Sequence, residues 1–384
     1  MDANRSQISY VLESVFATTP ATPAWQVLRF TGEDLKADKE TVVSAEIRLD
    51  RQVADLAKVN TGAAGGFKYE LSYGAFSALI AAALGATAVI VNQTVAVTFA
   101  AAGQTMTIDA GTWAVTPVPG QFLKISNAVD VGNNGIKLVT AATTTVVTFA
   151  AGSLTADESA DSVTIKGTAY KNGVALPSFS LERKTVNSAA ADFFQRYTGM
   201  GVDEWNMSIS TAKINEGSFN FVGAAPVTDD AEVAGCSYIA APTNQVQNAT
   251  SHVTAVYTGG ALTAEHLTSL EFAVKNNLRA KDEIGRDGAF ELGNGEFNVT
   301  GKLGAYFANN TLYAAMIAHA YSSAAWITTD GAGNSMGFHF PKISFLPGDP
   351  NVSGKNTDIM LDLPFQAIMD PTTGATFIVT EIPA

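Results

Sequence analysis

Hydrophobic and polar residues alternate along much of this chain, and the alternation has the period of β-strands. Phe67, Tyr69, Leu71 and Tyr73 interleave with Lys68, Glu70 and Ser72, the pattern of a strand with one buried face. Directly after it, Phe76, Leu79, Ile80 and Leu84 recur at helical spacing up to Gly85. That spacing predicts a short helix over 75–84 closed by the glycine. The pattern then returns. At one constant offset Phe67 matches Phe297, Gly74 matches Gly304, Ala75 matches Ala305 and Phe76 matches Tyr306. Each copy follows a glycine-rich loop (62–66 and 293–295) and runs into an alanine-rich stretch of helical character. A duplicated β unit points to a building block whose halves make equivalent contacts.

The pattern between the copies sets the domain organisation. Residues 1–24 contain Thr18-Thr-Pro-Ala-Thr-Pro23 and no period, which predicts an extended arm, because residues preceding proline avoid the helical region. A first domain is expected over 25–85 and 171–226, with strands at 25–30, 178–183, 204–209 and 217–222. The charge-dense stretch 33–60 reads as a long projecting loop or hairpin. Residues 86–170 change character: short β-prone runs such as Val95-Ala-Val-Thr-Phe99 and Thr145-Val-Val-Thr-Phe149 recur between turn residues, with few charges. Runs of this kind predict an inserted small all-β domain, Ig-like or a small barrel. A linker is expected over 227–258, and a second domain over 259–384 with a shorter charged loop at 276–294. The fold class is therefore mainly β: two tandem domains, each with one short helix, plus the insertion.

Composition narrows the function. Of 384 residues, 47% are hydrophobic and only 15% charged, against about a quarter charged in an ordinary soluble protein. A chain so poor in charge suits burial against copies of itself. The net charge of −13 argues against a surface that grips phosphates, though not against nucleic acid as a transient cargo. The single cysteine, Cys236, excludes an intrachain disulfide. The first residues lack a basic segment followed by an apolar run, and no stretch approaches a membrane span. Synthesis in the cytoplasm is the expectation.

Candidate chemistry is sparse. His252, His266, His319 and His339 have no metal-ligand spacing. His339 alternates with Phe338 and Phe340 and is expected on an exposed strand face, and His319 is expected to cap the second helix. No phosphate-binding loop, nucleophile elbow or HExxH occurs. Asp229-Asp230 and Asp282-Glu283 read as solvated loop charges. No cofactor and no catalysis are expected. One alternative stays open: a surface binding module that recognises carbohydrate through the insertion, with Trp113 as its platform.

The segments Ala17-Thr-Thr-Pro-Ala-Thr-Pro-Ala24, Val27-Leu-Arg-Phe-Thr-Gly-Glu-Asp-Leu35, Glu46-Ile-Arg-Leu-Asp-Arg-Gln-Val-Ala-Asp55, Phe67–Phe76, Asn276-Asn-Leu-Arg-Ala280 and Asn298–Tyr306 are similar to the tail tube proteins of long-tailed, siphovirus-type bacteriophages. The closest likeness is to the subgroup with two tube domains in one subunit. The resemblance implies two tube domains of β-sandwich or half-barrel form and trimeric rings with pseudo-sixfold symmetry. It also implies a stacked hollow tube through which DNA passes. It implies as partners further copies of the chain, a tape measure protein and terminator or tip proteins, with viral DNA as non-specific cargo and the virion tail as location. It places inter-subunit or inter-ring contacts on the two charged loops, at Arg48, Asp50, Arg51, Asp55, Arg279, Lys281, Asp282, Glu283 and Arg286.

Overall fold

The alternating segments become strands because each lays its apolar residues against one shared core. A computed structural model describes residues 3–187, 191–229, 231–263, 265–307, 310–350 and 354–384. Asp230 and the first two residues of the expected arm lie outside them. In the first domain, Leu56–Glu70 pairs antiparallel with Glu216–Gly223, which pairs with the distal half of Phe193–Ser210. In the second, Leu267–Lys275 pairs with Asn298–Tyr306, which pairs with Met360–Ala367. The two sheets join within the chain: residues 204–210 form an antiparallel ladder with 269–275, Trp205 opposite Val274 and Met207 opposite Phe272. The result is one front sheet that runs through both domains.

A back layer covers its apolar face. Ser6–Leu12, Ser178–Thr185 and the proximal half of Phe193–Ser210 supply it in the first domain. Val253–Thr258, Tyr321–Thr329, Ser335–Phe345 and Ile378–Ile382 supply it in the second. One core runs across the domain boundary. The Trp205 and Phe272 rings meet edge-on with centroids 4.9 Å apart, and both contact Phe338 and Phe377 of the back layer. Helix α1 (Ser77–Ala83) buries Leu79 and Ile80 in this core, and Gly85 follows its cap with φ +57°. Helix α2 (Thr311–Ile317) is its counterpart. His319 follows α2 with φ +47° and donates its backbone N–H to Met316 O, the capping role expected of it.

The insertion is a closed six-stranded barrel. Ala88–Ala100 pairs with Thr105–Ile108, then Val146–Phe149, Gly135–Ala142, Phe122–Ser126 and Glu158–Lys171, which returns to Ala88–Ala100. Phe99, Met106, Trp113, Phe149 and Ile165 fill it. Although it interrupts the first domain in sequence, it is bound to the second. Residues 168–171 add a strand to 378–381. Phe122, Ile136 and Leu138 face outward from the barrel onto Tyr257, Ala325, Ile327 and Ile382.

Four expectations change. The stretch 227–258, expected as a linker, supplies sheet strands: 225–229 pairs with 194–198, and Val253–Thr258 belongs to the second domain's back layer. Residues 6–12, expected in an extended arm, are a back-layer strand with Ile8 and Tyr10 in the core. Glu13 anchors the turn after this strand, accepting hydrogen bonds from Ala17 N, Ser178 Oγ, Ser180 Oγ and Gly199 N. His339, expected on an exposed face, is buried, because the barrel covers that face. Its Nδ1 lies 2.8 Å from Gly120 O. Finally, the repeated glycines are not in equivalent backbone states. Gly74 turns the chain at φ +70°, whereas Gly304 lies within a strand, opposite Asp362.

Candidate assembly surfaces

The front sheet has one apolar and one polar face, as strict alternation requires. Phe67, Tyr69, Phe219, Trp205, Phe272 and Phe365 point into the core. The opposite face carries small polar and charged residues across both domains: Lys68, Glu70, Glu216, Ser218, Glu204, Asn206, Ser208, Glu271, Lys275, Thr300, Lys302 and Asp362. Two of the lysines are paired, Lys275 with Glu204 at 3.7 Å across the in-chain junction and Lys302 with Asp362 at 2.9 Å. Shallow depressions run along this face. One is lined by Glu204, Asn206, Glu271, Thr300 and Lys302, and another by Lys68, Asn206, Ser208 and Glu216. Their polar groups are spread along strands and do not converge on a point, which suits a smooth wall better than a ligand site.

At one end of this sheet both charged loops project. Leu56–Glu70 is 15 residues long, roughly 50 Å at about 3.3 Å per residue. Its first part leaves the body and pairs with Lys36–Val43 as the expected hairpin. The second loop is held by a small ladder of 279–281 with 291–293 and leans on the hairpin partway along its ladder, where 58 and 60 pair with 41 and 40. There Lys58 pairs with Asp287, and Gly288 N donates to Asn60 Oδ1.

The residues expected to make contacts are all exposed, four on the hairpin's tip and five on the second loop. Arg48 binds Asp50 at 2.8 Å and holds its carboxyl below the usual carboxylate range. Asp55 Oδ1 accepts Leu56 N, Lys281 pairs with Glu291, and Glu283 with Arg286. Arg279 reaches Asn294 O, while Arg51 and Asp282 are exposed. Several of these charges are therefore answered within their own loop. The apolar residues between them give the stretch a partial strand pattern in the sequence, but 44–55 forms no strand. Ile47 and Leu49 are 98% and 106% exposed, and Ile284 on the second loop is 106% exposed. Their alternation with Arg48 and Asp50 was the available signal.

Joins between elements use buried polar groups. Arg196 Nε donates to Glu182 at 2.7 Å and Tyr238 OH donates to the same carboxylate at 2.6 Å, which pins Ser237–Ile239 to the first domain. Glu381 accepts from Ser77 Oγ and Tyr170 OH, linking α1, the barrel's last strand and the C-terminal strand. Burial raises the Glu381 carboxyl above its ordinary range. Trp113 lies in the barrel core with 5% of its surface exposed, so it offers no platform for a sugar. No helix among the described residues is long and apolar enough to cross a membrane.

Residues 3–367 match the sequence model of the family described as phage tail tube protein. No curated protein matches the chain.

Proposed function

Since this chain belongs to the phage tail tube protein family, and is thereby a structural protein of the virion tail, we propose that three copies close into a ring with pseudo-sixfold symmetry. Rings stack into a hollow conduit through which viral DNA leaves for the host. The observation that carries this reading is the in-chain ladder between 204–210 and 269–275. Two domains of one chain already join edge to edge into a single sheet with one apolar and one polar face. Repeating that join between chains would extend the sheet around a closed barrel and leave no strand edge exposed. The polar face then lines the conduit.

The wall chemistry fits a passage. Acids outnumber lysines on the polar face, and Lys275 and Lys302 are each answered by an acid. A sliding polyanion therefore meets few free cations that would brake it. The hairpin and its companion loop, at one end of the sheet, would contact the next ring, and the barrel would sit on the outer surface. Assembly in the host cytoplasm, a tape measure protein inside and terminator or tip proteins at the ends belong to the same proposal. The carbohydrate-binding alternative loses its platform with Trp113 in the core.

Electron microscopy of the purified protein with two-dimensional averaging tests the reading. Hollow tubes, or rings of three large lobes around a six-lobed channel, are expected. Discrete particles with no channel at any concentration would sink it.

A further inference from the structure

We propose that a depression at the end of the front sheet farthest from the hairpin, where the two domains join, is the docking site for the apolar hairpin tip of another copy of this chain. The inference rests on the stacked-ring reading and names the surface that would receive each ring. Ile47 and Leu49 stand fully in water and Val53 is 70% exposed, at the end of a long hairpin. The neighbouring charges do not explain them, since Arg48 and Asp50 bind each other. Exposed apolar residues grouped on a projecting element mark an interaction site. Moving such side chains from water into an apolar site favours association.

The opposite end of the same sheet offers a matching surface. Between the front sheet and the strand Val253–Thr258, a depression of about 90 Å³ is lined by Ile209, Val253, Val256, Leu267 and Leu270. That is room for one branched aliphatic side chain. Ala249, Thr211, Thr268 and Ser269 complete the lining, which therefore carries no charged group. An apolar floor with a small polar rim is the anatomy of a docking pocket. Strand direction places tip and depression at opposite ends: Glu70 pairs with Glu216 beside the turn 211–215, which adjoins the depression, while residue 63 pairs with 223 on the hairpin side. A contact between opposite ends of identical molecules is heterologous and propagates as a filament.

The test uses the full chain under conditions where it forms tubes, with Cys236→Ser as background. In a Leu49→Cys, Val256→Cys variant, oxidation of assembled tubes should give a chain-to-chain disulfide ladder on a non-reducing gel. Leu49→Asp alone should leave the melting temperature unchanged and raise the protein concentration needed for tubes at least about tenfold. Val256→Asp should do the same, and Val256→Ser replaces it should the aspartate lower the melting temperature. Mixing tip and depression variants should give pairs of rings that do not extend, since each pair has one intact interface. Tubes that form normally with the tip variant, or that yield no ladder, overturn the docking site and leave the ring reading standing. A tip variant that assembles normally and loses only infectivity overturns it too, because the tip's partner is then another tail protein. A wild-type chain that never forms rings or tubes removes both.

Discussion

His339 shows how one buried side chain ties stability to pH. Its imidazole is enclosed between the barrel and the second domain, with Nδ1 at 2.8 Å from Gly120 O and the Phe122 ring centroid 6.2 Å away. Burial disfavours the charged form and pushes its pKa down to about 4, against smaller opposing effects of the Gly120 carbonyl and the Asp370 charge. The folded state thus refuses a proton that the unfolded chain accepts near pH 6.5. Stability from this group is complete above that value and is lost as pH falls toward 4, to an extent on the order of 3 kcal/mol. Glu381 acts with the opposite sign, since its raised pKa favours the protonated folded state in acid. The comparison that isolates His339 is therefore urea unfolding of wild type and His339→Gln at pH 7.5 and 4.5. The wild type should lose clearly more stability than the variant, and parallel losses would acquit His339. Glu13 offers a second test at this scale. Its carboxylate answers two hydroxyls and two backbone N–H groups, including Ser180 Oγ at 2.7 Å and Gly199 N at 2.9 Å. Glu13→Ala should cost about 2–4 kcal/mol, because buried donors are left without partners. A chemical-denaturation midpoint close to wild type would show that water replaces the carboxylate.

Among the elements, the barrel departs most from its apparent independence. Phe122 is 1% exposed although it faces outward from the barrel, because it packs on Tyr257 and against Gly337 of the second domain. Phe122→Ala should lower stability by about 3–5 kcal/mol, read by thermal melting. Excising 88–170 should be worse, since it strips 378–381 of a strand partner and exposes Ala325, Ile327 and Ile382. An excised chain that melts like wild type and forms tubes would mean the docked face is not needed. These contacts also show where sequence reading stops. The barrel's strands were legible from their turns and β-branched runs, and α1 from Leu79, Ile80 and Gly85. That Phe122, Ile136 and Leu138 dock on another domain was not, because alternation tells which residues share a face and not what covers it. The same gap explains His339, whose strand is buried on both sides. The arm misled for a related reason: Ile8 and Tyr10 give too short an alternation to stand out beside the neighbouring proline-rich segment. The docking tip was visible as Ile47 and Leu49, but the denser charges around them carried the reading.

For the whole molecule, the decisive property is that one sheet spans two domains with a continuous polar face. Its residues were individually legible as the polar halves of alternating strands. The face as a surface was not, because it exists only once 204–210 and 269–275 join. If that face lines a conduit as proposed, its charge should govern how DNA moves and not whether the tube forms. Lys275 and Lys302 are neutralised in place, so reversing the acids Glu216 and Glu271 shifts the wall toward positive charge. Glu216 also sits opposite Glu70, and Glu271 opposite Lys302, so reversal at 216 creates one cross-strand attraction and reversal at 271 one repulsion. Such exposed pairs are worth about 0–1 kcal/mol each, too little to unfold a core this large. Phage carrying Glu216→Lys with Glu271→Lys should therefore assemble tails of normal appearance and eject DNA more slowly. Each cation that engages a phosphate adds close to one unit to the slope of log affinity against log salt. The delay should accordingly shrink as ionic strength rises, which a plain assembly defect would not do. In vitro release followed by a DNA-binding dye at several salt concentrations measures it. A release rate equal to wild type at low salt would place this face somewhere other than against the DNA.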